Sequence, residues 1–297
     1  MTGITGQVGF EVMNELYRRG HTVIGSARRI PRGIEAQDRN FALMELEDEA
    51  QTKKTILEIC PDAIIHCAAW TAVDAAENPE NETAVYDANV LATRNIAEAC
   101  ESVGAKMLYL STDYVFDGEG ECLWSPEDKS FAPLNVYGKS KLDGEFEVTQ
   151  HVRRFFIVRT SWVFGKNGKN FVRTMLNAGK THDYVRVVSD QIGRPTYAHD
   201  LGRLLADMIE TEKYGYYHAS NEGAYISWYD FCLEIYHEAG INAKVIPVTT
   251  ADYGGSKAKR PFNSRLDTSK LAQNGFTLLP EWKDALARFL REIGENT

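Results

Sequence analysis

Two short stretches hold residue types that can deliver a proton to a carbonyl oxygen. Ser111-Thr112-Asp113 closes an apolar run, and Tyr137-Gly138-Lys139-Ser140-Lys141 opens a helical pattern. Tyr137 and Lys141 are four positions apart at that helix start, so they share a face. An ammonium beside a phenol favours the phenolate and lowers the phenol's pKa from about 10. A tyrosine so tuned can donate and accept a proton near neutral pH. Thr112 ends the preceding strand, where α/β folds present their ligands, and its hydroxyl can hydrogen-bond a substrate oxygen. A tyrosine and a lysine at this spacing occur by chance in many helices. The signal lies in their place after a strand ending Ser-Thr.

The chain opens with a second chemical feature. Gly3, Gly6 and Gly9 form G-x-x-G-x-x-G directly before a helical pattern. Glycines let a backbone turn tightly and approach a pyrophosphate, whose charge then rests on the helix N-terminus. A strand follows that helix, and Ser26-Ala27-Arg28-Arg29 stands at its end. A dinucleotide fold usually carries an acid there for the ribose 2′-hydroxyl, whereas arginine accommodates a 2′-phosphate. Arg28 and Arg29 therefore point to NADPH, with NADH left open. The alternative reading is a pair of surface arginines on a loop.

These residues need a scaffold, and the hydrophobic pattern supplies one. Phe10 to Arg18 reads as a helix, His21 to Gly25 as a short strand, Gln51 to Ile59 as a helix, and Ala63 to Ala68 as a buried strand. A long helix from Glu82 to Val103 ends at Gly104; Lys106 to Ser111 is a strand, Tyr137 to Thr149 a helix and Phe155 to Arg159 a strand. Continuous apolar strands separated by helices imply a parallel sheet covered on both faces. Beyond Gly165 the pattern loosens, with helices at Asn170 to Ala178, Leu201 to Ile209 and Ser227 to Ala239 and short strands at Val185 to Val188 and Gly215 to Ala219. The expected fold class is α/β: a Rossmann-type doubly wound parallel sheet with a smaller C-terminal α/β substrate lobe. Residues 1–165 form the dinucleotide-binding part and 166–297 the lobe, interleaved without a linker. In such a fold an apolar strand normally precedes the glycine turn, mid-sheet. Only Met1 and Thr2 stand there, so the chain is expected to be an N-terminal truncation or to begin at an internal methionine.

Composition narrows the function classes. Of 297 residues, 43% are hydrophobic and 25% charged, and the formal net charge is −9, which is no electrostatic footprint for nucleic acid. No apolar run reaches the roughly 20 residues of a membrane span, and the N-terminus lacks the pattern of a signal peptide. Five scattered cysteines without C-x-x-C, and seven histidines without H-x-x-x-H, indicate neither a disulfide frame nor a metal site. A reducing cytoplasm is the expected location.

Taken in order, the motifs resemble those of the extended short-chain dehydrogenase/reductases, and within them the dTDP-4-dehydrorhamnose reductase family. The resemblance rests on Gly3 to Gly9, Cys67 to Asp74, Leu110 to Gly118, Pro133 to Lys141, Arg159 to Gly165, Asp190 to Thr196 and Arg260 to Leu271, and spans essentially the whole chain. It implies that Gly6, Gln7 and Val8 hold the pyrophosphate and that Glu45 and Leu46 sit beside the adenine. It implies that Ala68, Ala69 and Trp70 line the nicotinamide side, with Trp70 replacing a more usual histidine. Thr112 would bind the sugar's C4 oxygen, Asp113 and Trp162 would contact the sugar, Tyr137 would donate the proton, and Lys141 would tune it and hold the nicotinamide ribose. The implied substrate is a nucleotide-linked 4-keto-6-deoxy sugar, most simply dTDP-4-dehydro-L-rhamnose. The resemblance leaves room for a homodimer. Two rival readings share several of these stretches: a related nucleotide-sugar reductase or epimerase, and a non-catalytic cofactor-binding protein resembling the regulatory β subunit of methionine adenosyltransferase. The Asp190-Gln191 and Arg159-Thr160-Ser161-Trp162 segments favour the reductase.

Overall fold

The computed structural model describes residues 1–29 and 40–295. Its centre is a parallel sheet built from β1 (Gly25–Ala27), β2 (Phe41–Leu43), β3 (Ala63–His66), β4 (Lys106–Thr112) and β5 (Phe155–Thr160). The strand Gly215–Ala219 extends it at the β5 edge. From that edge the order runs β5, β4, β3, and then, across Thr2, β1 and β2.

Side-chain alternation splits these strands between two cores. Ile65, Leu108, Phe156 and Val158 face one side, against Val8, Val12 and Leu16 of helix Gln7–Arg18 and Leu201, Leu204 and Leu205 of helix Ala198–Ile209. Ile64, Met107, Tyr109 and Ile157 face the other, against Ile56, Ile96 and Val148 of three further helices. The strands are buried on both faces, which is why they read as unbroken apolar runs. Each such side chain, fully buried, contributes about 1.5–3 kcal/mol. The first two helices cross closely because Gly202 has no Cβ: one built there would lie 2.9 Å from the Cβ of Glu11. Strand Gly215–Ala219 and helix Ala198–Ile209 thus complete the sheet layer from the second half of the sequence, and a cut at residue 165 does not isolate that layer.

Two local patterns differ from the sequence reading. The expected strand at His21 to Gly25 is found three residues wide at Gly25–Ala27. The reason is its neighbour: Thr2 bridges Ser26 on one side and His66 on the other, and the Thr2 N–H donates to Ile65 O at 3.0 Å. Ahead of Met1 the two flanks are separated by a cavity of about 560 Å³ lined by Val23, Ile24, Ala63 and Ile64. The long helix expected from Glu82 to Val103 is divided by a π turn at Asp87–Leu91. That turn aims Asn89 at the site, where its Oδ1 accepts from Trp70 N–H at 2.7 Å and its Nδ2 donates to Ser140 Oγ at 2.8 Å. Single π turns of this kind recur at functional sites.

The remaining elements form a smaller lobe with its own core, centred on Phe164, Phe231, Ile235, Leu286 and Phe289. A strap at residues 262–267 ties this lobe to the sheet: Asn263 N–H donates to Gly118 O, Ser264 N–H to Ile192 O and Asp267 N–H to Trp124 O. Among the described residues no helix is long and apolar enough to cross a membrane.

Candidate active site

The glycine turn packs where a side chain cannot. Gly3 has φ +70°, and a Cβ there would meet Ala68 N and the Cys67 carbonyl carbon at 2.6 Å. At Gly9 a Cβ would lie 2.2 Å from Gly3 O. Helix Gln7–Arg18 starts at once, so the N–H groups of its first turn have no intrahelical carbonyl to meet and carry the positive end of the helix dipole. Gly6, Gln7 and Val8 therefore stand at an anion-binding helix start. The Gln7 side chain has a second task, accepting from Asn170 Nδ2 of the smaller lobe at 3.0 Å. Thr2 anchors the turn: its Oγ1 meets His66 Nδ1 at 2.7 Å and accepts from Ala68 N–H at 3.1 Å. Burial holds His66 neutral, its pKa pushed down to about 3.

The other cofactor candidates lie along neighbouring strand ends. Arg28 and Arg29 are exposed just beyond β1, with Arg28 at 3.9 Å from Glu47. Glu45 and Leu46 follow β2; Glu45 is exposed, whereas Leu46 is buried and its carbonyl accepts from Asn95 Nδ2. Ala68, Ala69 and Trp70 follow β3, and the Trp70 indole donates to Ala72 O at 3.1 Å.

Thr112, the last residue of β4, and Tyr137, in the first turn of helix Val136–His151, come together through their hydroxyls. Asn135 caps this helix by accepting from Gly138 N–H at 2.7 Å, as a short polar side chain does at an N-cap. Gly138 packs its backbone on Tyr114 O, where a Cβ would lie at 2.3 Å. Tyr114 meets Tyr137 edge to face at 5.7 Å between ring centroids. Lys141 lies one turn further on, 2% exposed, with Nζ 3.9 Å above the Tyr109 ring centroid.

The charges differ from the sequence argument. Burial pushes the Tyr137 phenol well above its ordinary value, against the hydrogen bond it shares with Thr112, and Asp113 raises it further. The expected lowering by Lys141 is absent because Lys141 is itself desolvated, its pKa pushed down to about 7 while Glu145 and Cys67 hold it up. The lysine is thus on the edge of neutrality and lies against an aromatic face.

Asp113 is 3% exposed and has both carboxylate oxygens engaged: Oδ1 accepts from Thr112 Oγ1 at 3.0 Å and Oδ2 from Ser264 Oγ at 2.5 Å. Burial pushes its pKa up to about 6, against the two hydroxyl donors. Trp162 adopts φ +52°, an uncommon conformation for a side-chain-bearing residue, and stacks on Trp228 with centroids 3.6 Å apart. Gly193 leaves room for its indole.

Four residues that sequence reasoning did not single out support this site. Ser264 lies within the Arg260 to Leu271 stretch and Arg159 opens the Arg159 to Gly165 stretch, but neither carried a role there. Trp228 backs Trp162. Glu145 of helix Val136–His151 and Arg159 of β5 form a fully buried pair, and Ser111 Oγ donates to Glu145 at 2.6 Å. Glu145 follows Lys141 by four positions on the same face, a spacing the sequence does offer.

Comparison with known proteins adds an independent line. The family model described as RmlD substrate binding domain matches residues 1–294. The chain is similar to a dTDP-4-dehydrorhamnose reductase of Shigella flexneri, at 36% identity over 99% of this chain and 97% of the relative. It is also similar to the spore coat polysaccharide biosynthesis protein SpsK of Bacillus subtilis (strain 168), at 34% identity over 98% of this chain and 96% of the relative. Among solved structures, the dTDP-4-dehydrorhamnose reductase of Bacillus anthracis str. Ames in complex with NADP superposes with a TM-score of 0.89 at 38% identity, covering 98% of this chain and 97% of that one.

Proposed function

The chain belongs to the RmlD substrate binding domain family, and from that premise we propose that it reduces the C4 keto group of a nucleotide-linked 4-keto-6-deoxy sugar, dTDP-4-dehydro-L-rhamnose, to dTDP-L-rhamnose with NADPH. The observation that carries this reading is the meeting of the Thr112 and Tyr137 hydroxyls, with Lys141 one helical turn further on and electrostatically coupled to His66 and Cys67 beside the glycine turn. The residues fit a dinucleotide. Gly3 and Gly9 let the turn pack tightly against Cys67, Ala68 and its own start, the helix start offers N–H groups to a phosphate's charge, and Arg28 and Arg29 are exposed at the end of β1, where a dinucleotide fold meets a 2′-phosphate.

When bound, the nicotinamide supplies the hydride that C4 receives. As negative charge develops on the C4 oxygen, Tyr137 gives up its phenolic proton there. Thr112, already beside that phenol, turns its hydroxyl proton from Asp113 to the same oxygen. The phenolate left at Tyr137 is stabilised by an ammonium at Lys141 on the same helix face. Burial of all three groups strengthens each interaction relative to water. Trp162, braced by Trp228, offers a flat wall for the sugar ring.

All five cysteines are free, which supports a reducing, cytoplasmic setting. The direct test is to incubate the protein with NADPH and dTDP-4-dehydro-L-rhamnose and follow loss of the reduced nicotinamide together with the product sugar. Tight cofactor binding without turnover across a panel of nucleotide-linked keto sugars would support the regulatory-subunit alternative instead.

A further inference from the structure

Thr112 faces a conflict. Its one hydroxyl proton is donated to Asp113, yet the C4 oxygen of a ketone can only accept. If Thr112 turns to the substrate, Asp113 loses a donor inside the protein, and a buried carboxylate without donors is costly. Ser264 resolves this. It is 2% exposed and comes from the smaller lobe, 151 positions away in sequence, with its hydroxyl on the other carboxylate oxygen of Asp113. The strap fixes it there: Ser264 N–H donates to Ile192 O, Ile192 N–H to Phe262 O, and the neighbouring Asn263 side chain to Cys122 O at 2.8 Å.

We propose that Ser264 is a positioning residue of the reaction, the second donor that keeps Asp113 hydrogen-bonded when Thr112 turns its hydroxyl to the substrate. Ser264 touches no reacting atom in this scheme; it acts through Asp113 on Thr112. Its effect makes substrate engagement by the sheet depend on the smaller lobe being seated. The scheme rests on the reductase reading above.

The pH dependence separates this role from a merely structural one. The groups facing Asp113 are Thr112 and Tyr114 of its own segment, with Arg260 and Asp74 behind Tyr114, Tyr137 of the catalytic helix, and Ser264 of the strap. Of these, Ser264 and then Thr112, together with the Asp113 backbone N–H, hold the carboxyl in its ionised form. Ser264→Ala removes one of them, so Asp113 ionises at a higher pH in the variant. Above that pH the carboxylate grips Thr112 as its only hydroxyl donor. Below it the protonated acid makes no such demand.

The experiment measures kcat/KM for the keto sugar against pH in the unmodified enzyme, in Ser264→Ala and in Ser264→Thr, together with the NADPH dissociation constant. Ser264→Ala is expected to lose roughly ten- to a hundredfold in kcat/KM at alkaline pH, the worth of one hydrogen bond to a charged group. The loss is expected to shrink as the pH falls through the variant's own Asp113 pKa, which lies above the value of about 6 in the unmodified protein. NADPH binding is expected to be unchanged, and Ser264→Thr is expected to recover most of the rate. Should Ser264→Ala fail to fold, Ser264→Cys, a weaker donor of similar volume, is expected to give the same pH pattern at smaller size. Turnover by the unmodified enzyme with an equal loss at every pH, or with no loss in the variants, overturns the proposal. Absence of turnover in the unmodified enzyme would instead overturn the reductase reading.

Discussion

At the scale of single residues, the proposed proton delivery rests on Tyr137 and on what surrounds it. Tyr137→Phe removes the donor and leaves the ring contact with Tyr114 in place. A loss of at least roughly 10²-fold in kcat is expected, with NADPH binding retained, and steady-state kinetics alongside a binding titration check it. Near-normal turnover would refute the assignment. Lys141 makes a different prediction, because its pKa lies at about 7 in the folded chain, below the ordinary 10.5. Between those values the unfolded chain binds a proton that the folded one has released. Stability therefore rises with pH across that window, and the penalty is fully present below it. Lys141→Met lacks the titrating group, so its melting temperature is expected to climb less than that of the unmodified protein between pH 7 and the alkaline end. Arg28 and Arg29 are exposed at the end of β1, where they can order themselves around a 2′-phosphate. Replacing both with alanine is expected to erase an NADPH preference of roughly 10- to 100-fold in kcat/KM. Equal kcat/KM for the two cofactors in the unmodified protein would refute that role.

At the scale of elements, helix Val136–His151 is held by a charge it could not keep alone. Glu145 accepts from Arg159 Nε at 2.9 Å and Nη2 at 2.7 Å, joining helix Val136–His151 to β5, while Ser111 ties the same carboxylate to β4. Arg159 also lies against the rings of Phe116, Phe131 and Tyr216. Removing one member of such a pair leaves the other charged and buried, which costs about 3–5 kcal/mol. Glu145→Gln is expected to lose stability of that order in urea denaturation. The double variant Glu145→Gln/Arg159→Met is expected to regain part of it, because no unpaired charge remains. This link shows what the sequence could and could not reveal. Helix and strand positions were legible because alternating burial on two faces leaves apolar runs such as Lys106 to Ser111. Tyr137, Lys141 and Thr112 were legible because local spacing and strand ends constrain them. Ser264 and Arg159 were not, since their partners Asp113 and Glu145 are brought near by the fold and not by any repeat. The break in the long helix was hidden as well: Asp87 to Leu91 continues a helical pattern, and only the packing of Asn89 against Trp70 and Ser140 distinguishes its turn. The short β1 had a non-local cause too, since a strand is defined by its neighbour.

At the scale of the whole molecule, that neighbour is the region between β1 and β3. Thr2 pairs with both flanks, and the Met1 ammonium donates to Ile24 O at 2.7 Å from a buried position, its pKa pushed down to about 6 by desolvation. The cavity of about 560 Å³ beyond it is flanked by Val23 and Ile24 on one side and Ala63 and Ile64 on the other. A variant carrying about five extra residues ahead of Met1, apolar and extended, would reach roughly 16 Å along the sheet, at about 3.3 Å per residue. Each apolar side chain so buried contributes about 1.5–3 kcal/mol, less the entropy of ordering the segment. The expected outcome is a melting temperature higher by several degrees. Cofactor binding is expected to tighten as well, because the added strand would brace Thr2, which holds the glycine turn through His66 and Ala68. A further signature distinguishes strand insertion from a nonspecific gain. In the unmodified chain the folded terminus titrates at about 6 and the unfolded one at 8.0, so the unfolded state binds the extra proton between these values and stability rises with pH there. In the extended variant a peptide bond replaces that ammonium and this rise should vanish. If the extended protein melts at the same temperature, keeps the same pH slope and binds NADPH no more tightly, the added segment does not enter the sheet.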